Sequence, residues 1–179
     1  MPMSAPVEVV ETSFMRPDLP LHLEVQVLAF ARIVWDDAFI GEDRFRDRMH
    51  DRPEVMHFVR TVGVQLVSHV QVRPIPIQEG QGRSIRIGAV GGVMTYPQFR
   101  REGHASALMR KAEVHIRDGV FDLGMLFCDP ENEPFYVALG WQALPPGGAL
   151  VAGTVPDGRI MTLGDASVLP PLLRLDEGW

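Results

Sequence analysis

Residues Arg100-Arg101-Glu102-Gly103-His104-Ala105 bring two cations, a glycine and an alanine to one point in the chain. They follow the strand-like run "IRIGAVGGVMT" (85–95) and precede a run spaced as a helix from about 103 to 118. A helix N-terminus presents free N–H groups and a partial positive charge, so it accepts phosphate readily. Gly103 and Ala105 leave that approach open, and Arg100 and Arg101 add charge, so Arg100-x-x-Gly103-x-Ala105 makes sense as a pyrophosphate cradle. The same small residues also suit plain helix–sheet packing, and both readings stand at this point. The segment is not a P-loop, because no Gly-Lys-Ser/Thr end follows. The Gly80/Gly82 pair in "QEGQGRS" is no dinucleotide fingerprint either, since the third position is Ile85.

Several titratable groups could act on protons. His69 lies in the strand-like "VSHVQV"; it is a base if it faces a cleft and a structural histidine otherwise. Glu131 and Glu133 sit at the entry of a short helix, where carboxylates also serve as dipole partners. Cys128 ends an apolar strand, and packing is the expected role. His104, inside the candidate cradle, reads as solvent-exposed or a minor phosphate contact.

The elements that must hold these residues follow from periodicity. "VEVVETSF" (7–14) reads as a strand, and "LHLEVQVLAFARIVW" (21–35) as a helix with Val27, Leu28, Ala31, Val34 and Trp35 on one face. "GEDRFRDRMHDR" (41–52) is a polar helical segment. "EVMHFVRTV" (54–62) and "VQLVSHVQVRPIPI" (64–77) are strands joined by a turn at Gly63. In 85–95 the alternation sets Ile85, Ile87, Ala89 and Val93 on one side, interrupted by Gly91 and Gly92, a glycine pair that marks a bulge. The next helix carries Ala105, Leu108, Met109, Ala112 and Ile116 on one stripe. "FDLGMLFCD" (121–129) is a strand buried on both faces. "PENEPFYVALGW" (130–141) is a short helix closed by Gly140. "GALVAGTV" and "RIMTL" are strand-like runs on either side of Pro-Asp-Gly. The order predicts one mixed α/β domain over 1–179, with a parallel strand–helix–strand unit at 85–129.

Composition excludes several classes. The chain has 179 residues, 46% apolar and 22% charged, as in an ordinary folded domain. One cysteine rules out a disulfide framework and suits the cytoplasm. The first residues lack a basic region and an apolar stretch, so no signal peptide is expected. No run reaches the ~20 apolar residues of a membrane span. A net charge of −6 argues against nucleic acid and leaves room for a cationic substrate. No metal ligand set is evident.

"VMTYPQFRREGHA" resembles motif A of the GNAT acetyltransferase superfamily, Q/R-x-x-G-x-G/A after a strand. "PFYVALGW" (134–141) resembles its motif B, and the element order is similar to the superfamily's over nearly the whole chain. The resemblance implies an α+β fold with a mostly antiparallel sheet, a bulged and splayed central strand pair, and helices on both faces. It resolves the choice at the cradle in favour of phosphate. Acetyl-CoA would be the donor, with its pantetheine along Val93, Met94 and Thr95, bonded by the backbone of Val93 and Thr95. Its pyrophosphate would rest on Arg100, Arg101, Glu102, Gly103, His104 and Ala105. Tyr136 matches a tyrosine that commonly protonates the leaving sulfur, whereas Asp129 replaces a usual asparagine.

The implied activity is direct acetyl transfer to a primary amine of a small molecule. A catalytically silent acyl-CoA-binding module is the alternative. A narrower likeness is to aminoglycoside 2′-N-acetyltransferases, carried by "RDGVFDLGML" (117–126), "AFIGE" (38–42) and the last residue, Trp179. Their fourth-strand acidic residue is Gly91 here. Trp179, with its carboxylate, is the second candidate catalytic residue: the tail either returns to the acceptor side in place of that missing charge or is a frayed terminus. Expected partners are acetyl-CoA and the amine, with no nucleic acid and no membrane; a homodimer is left open.

Overall fold

The computed structural model describes residues 8–35, 53–79 and 83–175. Among these, the elements in chain order are β1 (Val9–Met15), α1 (Leu21–Val34), β2 (Met56–Val62), β3 (Gln65–Glu79), β4 (Arg83–Thr95) and α2 (His104–Asp118), followed by β5 (Leu123–Cys128), α3 (Glu133–Val137), β6 (Gln142–Ala143), β7 (Ala149–Val151), β8 (Arg159–Leu163) and β9 (Leu173–Leu175). Seven strands form one sheet in the order β1-β2-β3-β4-β5-β8-β6, while β7 and β9 pair separately. Antiparallel registers join β1 to β2, β5 to β8 and β6 to β8. β4 and β5 run parallel from Ile87↔Leu123 to Val90↔Leu126, the crossover expected for the 85–129 unit. The fold is thus mixed α/β with a mostly antiparallel sheet. The expected segment at 41–52 lies outside the described residues.

Two compact units can be separated, Met1–Gln71 with Gly92–Leu108, and Val72–Gly91 with Met109–Trp179. In the first, α1 buries Leu23, Val27, Phe30 and Ala31 against Leu19, Val59, Leu66 and Met94. The expected face fails at its end: Val34 and Trp35 are exposed, and Leu23 and Phe30 take their place. In β4 Ile85, Ile87 and Ala89 are buried in one core, Met94 enters another, and Val93 is half-buried. Gly92 adopts φ +58°, a left-handed conformation that glycine takes without strain.

The second unit packs Ile85, Ile87 and Ala89 with Leu123, Met125, Ala149, Ile160, Leu173 and Leu175. The residues flanking Pro-Asp-Gly do not pair with each other: β7 joins β9 in parallel, and β8 joins β5 and β6. β6 and β9 were missed in the sequence because two or three residues carry no readable period.

On α2 the stripe Leu108, Met109, Ala112 and Ile116 is buried as expected, and a charged residue, Glu113, is buried beside it. Trp141 Nε1 donates to Glu113 Oε1 at 2.9 Å, and both side chains are buried. A carboxyl taken from water tolerates burial only with such a donor. Trp141→Phe removes the donor and part of the ring, leaving the carboxyl short of a partner. The expected loss is about 3 kcal/mol, a drop in Tm of about 6–12 °C. Calorimetry on the purified variant checks it; a Tm within about 2 °C of the parent contradicts the pairing.

Candidate functional site

In the first unit, the approach to α2 is built turn by turn. Pro97–Phe99 form one 3-10 turn, and Arg100 returns to extended backbone. Arg101 then takes φ +67° and Gly103 φ +79°. A left-handed arginine costs on the order of 1 kcal/mol and persists only where its surroundings impose it. Ala107 N–H donates to Gly103 O at 3.0 Å, so the helix ladder begins there. The amides of His104, Ala105 and Ser106 precede that first bond and have no intrahelical acceptor. Gly103 is exposed, and a Cβ built on it meets nothing within 4 Å. Left-handed backbone followed by open helix amides is an anion-accepting arrangement. Ser106 belongs to it by position, which the six-residue motif did not indicate.

The strand leading to this loop is fixed through its own backbone. Ser68 Oγ donates to Met94 O at 2.9 Å and lies 2.8 Å from Thr95 Oγ1. Tyr96 N–H donates to Val67 O. Val93 and Thr95 are half-buried and Met94 is buried. Arg100 is exposed, and its Nε donates to Thr95 O at 3.2 Å, so it ties the strand end to the loop. Arg101 and Glu102 are exposed and Ala105 is half-buried.

His104 corrects the sequence expectation, because it is buried rather than exposed. Its Nδ1 lies 3.2 Å from Arg60 Nη1, and its Nε2 lies 3.2 Å from Glu102 Oε2. Arg60 Nε in turn donates to Glu11 Oε2 at 2.8 Å. Arg60 and Glu11 stand some 40 and 90 residues from the motif in sequence, and local patterning carries no sign of such long-range partners.

His69 is not the isolated strand histidine the sequence suggested. Its Nδ1 lies 2.8 Å from Gly92 O, and its Nε2 2.9 Å from His57 Nδ1. A carbonyl only accepts, so His69 Nδ1 carries the proton and its Nε2 accepts from His57 Nδ1–H. One ring nitrogen is committed to Gly92 O and the other to His57, which leaves His69 none with which to serve as a base. Burial pushes His57 far below the usual imidazole range, with His69 and Arg16 adding to the effect. Burial likewise brings His69 down to about 4, against an upward pull from the Gly92 carbonyl. An unfolded histidine protonates near ~6.5. Between that value and about 4 the unfolded chain therefore holds more protons, and stability declines as pH falls. Urea midpoints should hold steady above about pH 6.5 and drop steadily toward about pH 4.5; a flat series contradicts a neutral buried pair.

The second unit gathers the other named groups at the end of β5. Cys128 is half-buried and Asp129 exposed. Burial, Glu133 and Asp129 together push the Cys128 thiol up to about 11, with Arg159 opposing. Such a thiol stays protonated at neutral pH and is a poor nucleophile. Glu133 accepts from Arg159 Nε at 2.9 Å, and Glu131 is exposed. Tyr136, on α3, is buried with its ring 5.0 Å from that of Phe135. Trp141 N–H donates to Tyr136 O, and Gly140 closes the turn at φ +91°. Burial pushes the Tyr136 hydroxyl above its ordinary range, and charge on Cys128 and Asp129 adds to the shift. It is therefore a proton donor throughout the neutral and mildly basic range. Trp179 lies outside the described residues, as do Gly80 and Gly82. Among the described residues no group of three His, Cys, Asp or Glu side chains could hold a metal ion. No described helix is long and apolar enough to cross a membrane.

A parallel β4–β5 pair within a mostly antiparallel sheet, with β4 leading into an open helix N-terminus, defines the class as an N-acetyltransferase fold. A family model described as acetyltransferase (GNAT) domain matches residues 19–144, and the chain belongs to that family. An acyl-CoA N-acyltransferase from Pseudomonas aeruginosa is similar at 14% identity and a TM-score of 0.65, over 88% of this chain and 100% of that one. An aminoglycoside 6′-N-acetyltransferase complexed with coenzyme A is similar at 14% identity and a TM-score of 0.65, over 86% of this chain and 95% of that one. A probable N-acyltransferase from Enterococcus faecalis V583 is similar at 18% identity and a TM-score of 0.60, over 75% of this chain. This chain spans only 32% of that protein's length. These three likenesses concern the fold. No curated protein sequence matches the chain.

Proposed function

We propose that the protein transfers an acetyl group from acetyl-CoA directly to a primary amine of a small molecule, and that it does so in the cytoplasm. The observation that carries this reading is the loop before α2: Arg101 and Gly103 both left-handed, then amides with no intrahelical acceptor, within a chain of the GNAT family. Backbone N–H groups from Gly103 to Ser106 bind the pyrophosphate, and Arg100 and Arg101 add charge. Val93, Met94 and Thr95 accompany the pantetheine arm, with the backbone of Val93 and Thr95 bonding to it.

The amine nitrogen attacks the thioester carbon, the C–S bond breaks, and the sulfur leaves with the electron pair. Tyr136 gives its phenolic proton to that sulfur and regains one from solvent, while the amine sheds its extra proton. Cys128 takes no part, because a thiol raised to about 11 offers little thiolate. The acidic net charge of −6 favours a cationic acceptor. A calorimetric titration with CoA tests the donor half of the reading. Saturable one-to-one binding is the expected result, and absence of heat and of any thermal shift at millimolar CoA overturns it.

A further inference from the structure

The CoA reading leaves one feature of the loop unexplained. Glu102 places a carboxylate next to the helix N-terminus that must receive a pyrophosphate, and a carboxylate there is itself drawn to the free amides. The structure shows what occupies that carboxylate instead. A guanidinium only donates, so Arg60 Nη1 gives its hydrogen to His104 Nδ1, which must be unprotonated. The neutral ring then carries its proton on Nε2, and Nε2–H donates to Glu102 Oε2. Glu11 accepts from Arg60 Nε and fixes the guanidinium from the other side. Burial of the His104 ring, 6% exposed and edge-on to Phe99, fixes where Nε2 points. The result is a directed relay, Arg60 to His104 to Glu102, anchored on β1 by Glu11.

We propose that His104 is a positioning residue for the phosphate loop: it tethers the Glu102 carboxylate and so keeps a rival anion off the amides of α2. This rests on the acyl-CoA reading of the loop and adds residues that touch no donor atom through their side chains. Arg60 sets the tautomer of His104, which makes the tether a donor rather than an acceptor. Without the tether, the Glu102 carboxylate is drawn to the free amides of α2 and competes for them.

The test is a double-mutant cycle on CoA affinity, read by calorimetry. His104→Phe keeps the ring and its packing but removes the Nε2 donor; CoA binding should weaken by about fivefold or more. Glu102→Ala in that background removes the rival and should restore most of the affinity. His104→Gln, which keeps a side-chain N–H donor, should bind nearly as well as the parent. A purely structural role for His104 predicts no rescue by Glu102→Ala. The proposal is overturned if His104→Phe binds CoA like the parent, or if the loss is unchanged after Glu102→Ala. Should His104→Phe fail to fold, His104→Leu in the same cycle decides the question. Failure of the parent protein to bind CoA would overturn the acyl-CoA reading itself, and this inference with it.

Discussion

Gly103→Glu should lower acetyl-CoA affinity by about 100-fold or more, while the protein stays folded. The space is there, since a Cβ at Gly103 meets nothing within 4 Å, so steric clash with the protein is not the cause. Two other effects act together. The backbone at φ +79° suits glycine and strains any other residue by roughly 1 kcal/mol. More important, a carboxylate arrives where two phosphate charges must sit, and it can satisfy the same amides from within the chain. Gly103→Ala separates the two effects. It carries the strain without the charge, so it should cost stability and only a few-fold in affinity. Titration of both variants with CoA checks the pair. Equal, small losses would mean that the loop does not hold phosphate.

How much of this arrangement was legible in the sequence depends on the range of the interactions. The α2 N-terminus, Gly103 and the short helix bearing Tyr136 were readable because each is a local pattern: a breaker, a small residue, then a 3.6-residue period. The glycine pair in β4 was also readable as a break in the row of side chains, yet which of the two turns was not: Gly92 alone of the pair takes a positive φ, and no local signal distinguishes adjacent glycines. The end of α1 failed for a related reason. Val34 and Trp35 continue the apolar stripe, but whether a stripe is buried depends on what lies opposite, and that is tertiary information. The partners of His69 and His104 were illegible altogether. His57 and Gly92 meet the His69 ring, and Arg60, itself held by Glu11, meets the His104 ring, through contacts whose spacing in sequence carries no period.

Tyr136→Phe should reduce kcat on the order of 100-fold, with the dissociation constant for CoA little changed. The substitution keeps the ring, its edge contact with Phe135 and the backbone bond from Trp141, so the helix that carries it is left intact. Only the hydroxyl is lost. Because burial raises that hydroxyl above its ordinary range, it remains a donor well beyond neutral pH. The parent's rate should accordingly show no loss from tyrosine ionisation up to about pH 9.5, since a raised pKa moves that loss to higher pH. Rates at saturating acetyl-CoA and acceptor, measured where chemistry limits turnover, check this. Full turnover in the variant would assign Tyr136 to packing and the sulfur's proton to water.

Acetyl transfer is tested most directly by release of the CoA thiol from acetyl-CoA, followed with a thiol-reactive dye while a panel of small primary amines is supplied. Thiol release should rise with the concentration of at least one amine, the acetyl group should be recovered on that amine, and Tyr136→Phe should suppress the signal. A protein that binds CoA yet releases no thiol with any amine would be an acyl-CoA-binding module rather than an enzyme, and would contradict the central claim.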